Sequence, residues 1–240
     1  MSAGYAFRTE HLTREFAGGV RAVDDITLEV RSGIVFGFLG PNGAGKTTTI
    51  RLLLGLIEPS SGSAEVLGFD TRTHGAAIRE NTGALLEHHG LYERLSAHDN
   101  LYFYARVARM PRKTALARVQ ELLEQFALWD RREDAVSTWS RGMKQKLAIA
   151  RTLLHRPRLV FLDEPTAGLD PVAAANLRND LSTLAEQTGT SIFLTTHNLA
   201  EAERLCFWGC RWLVHASHSI RPCGSRGDDL GEVRGATTST

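Results

Sequence analysis

Cysteine is nearly missing from this 240-residue chain: there are three, Cys206, Cys210 and Cys223, and none in the first 205 positions. A disulfide framework is thereby excluded for most of the sequence. An excess of either charge is missing too. The 28 basic and 27 acidic side chains leave a net charge of +1, which offers no broad electrostatic footprint for a nucleic acid. No apolar run approaches the ~18 residues needed to cross a bilayer. The opening MSAGYAFRTE lacks the basic-then-apolar profile of a secretory signal. A soluble, cytosolic chain is expected, with any membrane connection made through a partner. Internal repeats and low-complexity stretches are missing as well. What is present is an ordinary globular composition, 42% hydrophobic and 23% charged, enough for one large α/β domain or two small ones.

Hydrophobic patterning places the elements. Ile26–Val30 alternates apolar and polar residues, as a half-buried strand does. Ile34–Leu39, Leu159–Leu162 and Ser191–Thr196 are nearly continuous apolar runs, which suit strands buried on both faces of a mostly parallel sheet. A short strand is expected at Ala64–Leu67 and a helix from about Gly45 to Leu56. Between Leu95 and Trp139 the pattern is helical, with Leu116, Val119, Leu123 and Phe126 predicted to share one apolar face. Ser140 is placed to cap a further helix that stops near Pro157.

Three segments carry chemistry. Gly40-Pro-Asn-Gly-Ala-Gly-Lys-Thr47 matches G-x-x-x-x-G-K-[ST] in full, after a predicted strand and before a predicted helix. Its glycines let successive N–H groups turn inward toward phosphate oxygens, and the positive end of the helix dipole adds to the attraction. Lys46 can reach β- and γ-phosphates, and the Thr47 hydroxyl can ligate Mg²⁺. Asp163 and Glu164 end a buried strand at the carboxyl edge of a parallel sheet, where ligands bind. Asp163 is suited to hold Mg²⁺ through a water, and Glu164 to polarise an attacking water. His197 follows a third strand and should reach the same edge, near the γ-phosphate and that water.

In this order the motifs resemble an ATP-binding cassette (ABC) transporter nucleotide-binding domain. Ser140-Arg-Gly-Met-Lys-Gln145 resembles the signature sequence of that family, Pro165–Asp170 its D-loop, and Thr196-His197 its switch histidine. The resemblance covers roughly residues 5–205. It implies a P-loop NTPase (RecA-like) α/β core with a mostly parallel sheet, an antiparallel β part near the N-terminus, and an inserted helical subdomain at about 85–157. It implies ATP and Mg²⁺ as ligands, with Gly40, Pro41, Asn42, Gly43, Ala44, Gly45, Lys46, Thr47 and Thr48 holding the nucleotide and Phe16 stacking on adenine. It also implies a second nucleotide-binding domain as partner, whose γ-phosphate would meet Ser140 and Gly142 in trans. An integral membrane permease would hold the pair at the cytoplasmic face of the membrane. No nucleic-acid partner is expected. A soluble ABC ATPase outside transport, or a degenerate subunit with impaired turnover, stands as the alternative.

The chain departs from the family pattern in three places. Arg141 replaces a signature glycine, and Ser140-Arg-Gly-Met-Lys-Gln with Gly90-Leu-Tyr-Glu-Arg-Leu resembles the drug- and polysaccharide-exporter branch. Glu87 stands where the Q-loop usually has glutamine; a carboxylate can still ligate Mg²⁺. After Cys206 the resemblance stops, and all three cysteines with two of the four tryptophans crowd into the end of the chain. A change of coding frame near Cys206 is expected, which would leave the sheet's last strands missing or poorly replaced. Residues 206–240 then form an atypical tail, disordered after about Ile220. A zinc site from Cys206, Cys210, His215 and His218 is the weaker reading of that tail.

Overall fold

One buried sheet with two differently furnished faces organises the molecule. The computed structural model describes residues 4–198 and, as backbone, residues 210–215 and 220–222. The elements run β1 (Tyr5–Phe16), β2 (Val20–Arg31), β3 (Val35–Leu39), α1 (Lys46–Leu53), β4 (Ser61–Val66), β5 (Phe69–Asp70), α2 (Gly75–Asn81) and β6 (Thr82–Leu85). Then follow α3 (Ala97–Val107), α4 (Arg112–Gln125), α5 (Arg141–Thr152), β7 (Leu159–Leu162), α6 (Pro171–Thr188) and β8 (Ser191–Thr196), and finally β9 (Cys210–His215) and β10 (Ile220–Pro222).

The central sheet has the order β10-β9-β3-β8-β7-β6, with β3, β6, β7, β8 and β9 parallel and β10 antiparallel at the edge. A smaller antiparallel sheet, β2-β1-β4-β5, comes from the N-terminal third. The apolar runs of β3, β7 and β8 are buried along their whole length, as covering on both sides requires.

Successive side chains of β7 point to opposite faces, and each face has its own core. Leu159 and Phe161 pack with α1 and the antiparallel sheet, in a cluster where Phe193 stands 5.4 to 5.8 Å from the rings of Phe7, Phe36, Phe38 and Phe161. Val160 and Leu162 join the Leu- and Ala-rich core under α3, α4 and α5. The three helices between β6 and β7 therefore cover one face, and the phosphate-loop helix covers the other.

Two expectations meet a different outcome. In α4 the buried stripe is Ala115, Val119, Leu122 and Leu123, continued by Phe126, whereas Leu116 is 37% exposed. Leu116 lies one position out of phase with Ala115, Val119 and Leu122, which follow the i, i+4, i+7 spacing of one helix face. Helix α1 stops at Leu53 instead of Leu56, because Gly55 takes φ +60° and ends the helical run. Strand β1 pairs with both β2 and β4 and carries no clear apolar alternation to announce it. At the other edge, the backbone of Cys210–His215 pairs in parallel with β3. The zinc ligand set, and the disorder expected after Ile220, lie outside the described residues apart from the strand backbone.

Candidate functional site

The phosphate-loop sequence leaves β3 and enters α1 through Gly45, which caps the helix at φ +82° without a side-chain hydrogen bond. A Cβ there would run into the Ala22 carbonyl, so only glycine permits the turn. The first N–H groups of α1 have no intrahelical acceptor, and together with the helix dipole they form an anion cradle. Lys46 is 6% exposed and donates to the carbonyls of Gly40 (2.8 Å) and Pro41 (3.0 Å), while its ammonium lies 3.1 Å from Glu164 Oε1.

The carboxyl ends of β7 and β8 bring the acids to this loop. Thr47 Oγ1 donates to Asp163 Oδ2 at 2.5 Å. Thr195, wholly buried on β8, donates from Oγ1 to Asp163 Oδ1 at 2.6 Å and accepts from the Glu164 backbone N–H at 3.0 Å. His197 Nδ1 sits 2.8 Å from Glu164 Oε2. Glu164 itself takes φ +48°, a left-handed conformation costly for a residue with a Cβ, and the Thr195 hydrogen bond helps hold it there. Thr47, Asp163, Thr195, Glu164 and His197 are thus one continuous chain of hydrogen bonds, with Lys46 against its middle. Thr195 went unread in the sequence because a threonine inside an apolar strand looks like ordinary β-propensity.

These groups open into a cleft of ≈440 Å³ between the sheet edge and the first turns of α5. Asn42, Gly43, Gly45, Lys46, Thr47 and Thr48 line it from the loop, with Asp163 and Glu164; Gly40, Pro41 and Ala44 lie behind them in the turn. Glu87 also lines the cleft, but its carboxylate is 3.6 Å from Arg51, one turn along α1 from Thr47. Phe16, 40% exposed, is outside the cleft lining, and the Arg14 guanidinium covers its ring at 4.7 Å.

Ser140 caps α5, its Oγ accepting from the Met143 N–H at 3.3 Å. Gly142 follows in the first turn, where an added Cβ would approach Ala173 of α6 to 3.3 Å. Neither residue reaches the cleft of its own chain, although Arg141 and Gln145 do. His89 clasps Gln145, Nε2 to Oε1, at 2.6 Å.

Thr47 and Asp163 offer a hydroxyl and a carboxylate side by side, hard oxygen donors of the kind Mg²⁺ takes, whereas Glu87 lines the same cleft with its carboxylate turned to Arg51. The N–H cradle and Lys46 fit phosphate oxygens.

Comparison with known proteins agrees with this chemistry. The sequence profile of the ABC transporter family matches residues 23–167. The chain is 41% identical over 198 residues to the bacitracin transport ATP-binding protein BcrA of Bacillus licheniformis, covering 82% of this chain and 63% of the relative. It is 41% identical over 188 residues to the daunorubicin resistance ATP-binding protein DrrA3 of Streptomyces coeruleorubidus, covering 78% and 59%. It thus spans about three fifths of the length of the first curated relatives it matches. Among solved structures, CbiO1 of Clostridium perfringens, part of the ABC transporter complex CbiONQ, superposes with a TM-score of 0.80 at 26% identity, over 88% of this chain and 84% of that one. A matching profile, a matching fold and a complete phosphate loop set against two ordered acids together make this chain an ATP-binding domain of the ABC transporter family.

Proposed function

We propose that the chain hydrolyses MgATP and, paired head to tail with a second such chain, drives a separate membrane permease that exports its cargo. The observation that carries the reading is the unbroken hydrogen-bonded run from Thr47 through Asp163, Thr195 and Glu164 to His197. The export reading draws on relatives named for bacitracin transport and daunorubicin resistance. No helix among the described residues is long and apolar enough to cross a membrane. In this reading a permease component spans the membrane and the ATPase pair sits on its cytoplasmic face.

The chain's own groups perform the steps. The N–H groups of Gly43 through Thr48 hold the phosphates, and Lys46 exchanges the Gly40 and Pro41 carbonyls for phosphate oxygens. That exchange also loosens Lys46 from Glu164 and frees a carboxylate oxygen to accept the proton of the attacking water. His197 holds the other oxygen and fixes the carboxylate's orientation. Mg²⁺, when bound, neutralises phosphate charge, and Thr47 and Asp163 would hold it with Glu87 as a further oxygen donor. Phe16 would stack on the adenine. Ser140, exposed, and Gly142, half-buried, at the start of α5 would complete the partner's site.

Phosphate release and nucleotide binding test this. Lys46→Ala is expected to abolish ATP binding. Glu164→Gln is expected to keep binding and lose turnover by about 10²- to 10⁴-fold, the contribution of a general base. Undiminished hydrolysis in Glu164→Gln removes that residue from the role, and a wild-type chain that binds no ATP overturns the reading.

A further inference from the structure

The end of β1 carries an arrangement that the phosphate chemistry does not use. Arg14 and Phe16 stand two positions apart on the strand, on one face of it. The Arg14 guanidinium lies over the Phe16 ring, 4.7 Å from its centroid. Among the described residues, Arg14 donates one side-chain hydrogen bond, from Nη1 to the Glu58 carbonyl at 2.8 Å, and its Nε is buried without an acceptor. The strand beneath it is pinned on both sides. Ser60 donates its N–H to the Thr13 carbonyl at 2.8 Å, and its hydroxyl accepts from the Glu15 N–H at 3.0 Å. A half-buried arginine on a fixed strand is thus committed to one face of an exposed aromatic ring.

That ring stands at the edge of the nucleotide cleft. Arg14 pairs with Val23 of β2 and Glu15 with Arg21, so Ala22 is skipped and bulges from the ladder. Ala22 lines the cleft, and its carbonyl and the Val23 side chain are what a Cβ on Gly45 would meet. Phe16, opposite Val20, ends the same hairpin and lies outside the cleft lining. The phosphates of a nucleotide fill the cleft, and its base has to lie beyond that lining. An aromatic ring at this boundary, 40% exposed, offers a planar base a face to stack on. A free phenyl ring loses rotamer freedom when it stacks, and a ring already held from behind has less to lose. We propose that Arg14 is a positioning residue for the base of the nucleotide, holding Phe16 from one side so that its other face meets the adenine. This rests on the reading of Phe16 as the adenine platform and adds the group that orders the ring.

Calorimetric titration of the full chain with MgATP, MgADP and magnesium tripolyphosphate, which has phosphates but no base, separates the contributions. Arg14→Ala is expected to weaken ATP and ADP alike by about two- to fivefold, the scale of an exposed cation–π contact, and to leave tripolyphosphate unchanged. Phe16→Ala is expected to weaken both nucleotides by about fivefold or more. In the Phe16→Ala background, Arg14→Ala should add nothing, because its effect passes through the ring. Arg14→Lys keeps a cation behind the ring and should lie between. It carries the same comparison if the alanine variant melts below the assay temperature. Equal weakening of ATP and tripolyphosphate overturns the proposal, since that pattern means a general loosening of the hairpin. So does undiminished or tightened ATP affinity in Arg14→Ala, or a loss that persists in full without Phe16. Unchanged ATP and ADP affinity in Phe16→Ala instead defeats the adenine reading of Phe16, and the role of Arg14 with it. A wild-type chain that binds no nucleotide defeats the broader reading.

Discussion

The two ends of α5 are built differently. Its far end is fastened down: Arg118 donates to the Leu153 carbonyl at 2.8 Å, and His155 Nε2 lies 3.0 Å from the Thr82 carbonyl at the start of β6. Its near end, with Ser140 exposed, Arg141 at the rim of the cleft and Gly142 half-buried, is held by the Ser140 cap, the His89–Gln145 clasp and the Glu93–Lys144 pair. The same contrast separates the phosphate loop from the signature-like segment. Lys46, Asp163 and Glu164 have their partners within the chain, whereas the hydroxyl of Ser140 serves one backbone N–H and Arg141 serves none. The phosphate-loop side is satisfied within the chain, and the hydroxyl at the start of α5 is exposed. That division is what a composite site shared between two chains would require.

Three substitutions would break or sharpen the contrast. The largest effect is expected from Thr195→Val, which keeps the shape but removes the hydroxyl that joins Asp163 to the Glu164 backbone. A buried N–H and a carboxylate oxygen lose their partner, so we expect about 1–3 kcal/mol of lost stability and at least about tenfold lower turnover. Unchanged turnover would mean that the acids order themselves. Next comes Ser140→Ala. Loss of the cap should cost about 1 kcal/mol in a denaturant melt, with single-chain ATP affinity unchanged and turnover of the concentrated protein reduced. A drop in single-chain affinity would show that Ser140 serves its own nucleotide.

The smallest effect concerns the fastened end. Burial first, and Arg118 second, hold the His155 pKa below its ordinary value of 6.5, against the opposing hydrogen bond to Thr82. The unfolded chain therefore takes up the proton before the folded one. His155 contributes stability above pH 6.5, and this is lost as the pH falls from there through the folded value. His155→Gln, which can still donate to Thr82, should flatten the dependence of melting temperature on pH between about 5 and 7 relative to wild type. An identical slope would place the pH dependence elsewhere.

The strongest features of the fold were legible where local chemistry and burial agree. The loop at 40–47 announces itself because its glycines, lysine and threonine each have one physical task. Strands β3, β7 and β8 were legible because burial on both faces writes an unbroken apolar run. The Ser140 cap was legible for the same reason as the loop: a hydroxyl before a helical pattern has a geometric use. Illegible features depend on long-range partners. Thr195 matters only because β8 lies beside β7 in register, Phe161 against Phe193. Arg141 reads as a blemish in a motif until Gly168, distant in sequence, is seen to seat it. Leu116 misled because an apolar residue at nearly the right spacing still misses the buried face.

The claim that this chain holds half of a shared site is tested most directly by turnover per chain as a function of chain concentration. Sedimentation under the same MgATP conditions reports the monomer fraction. We expect turnover per chain to rise with concentration and to track the dimer fraction. Full turnover by a chain that sediments as a monomer would contradict the shared site.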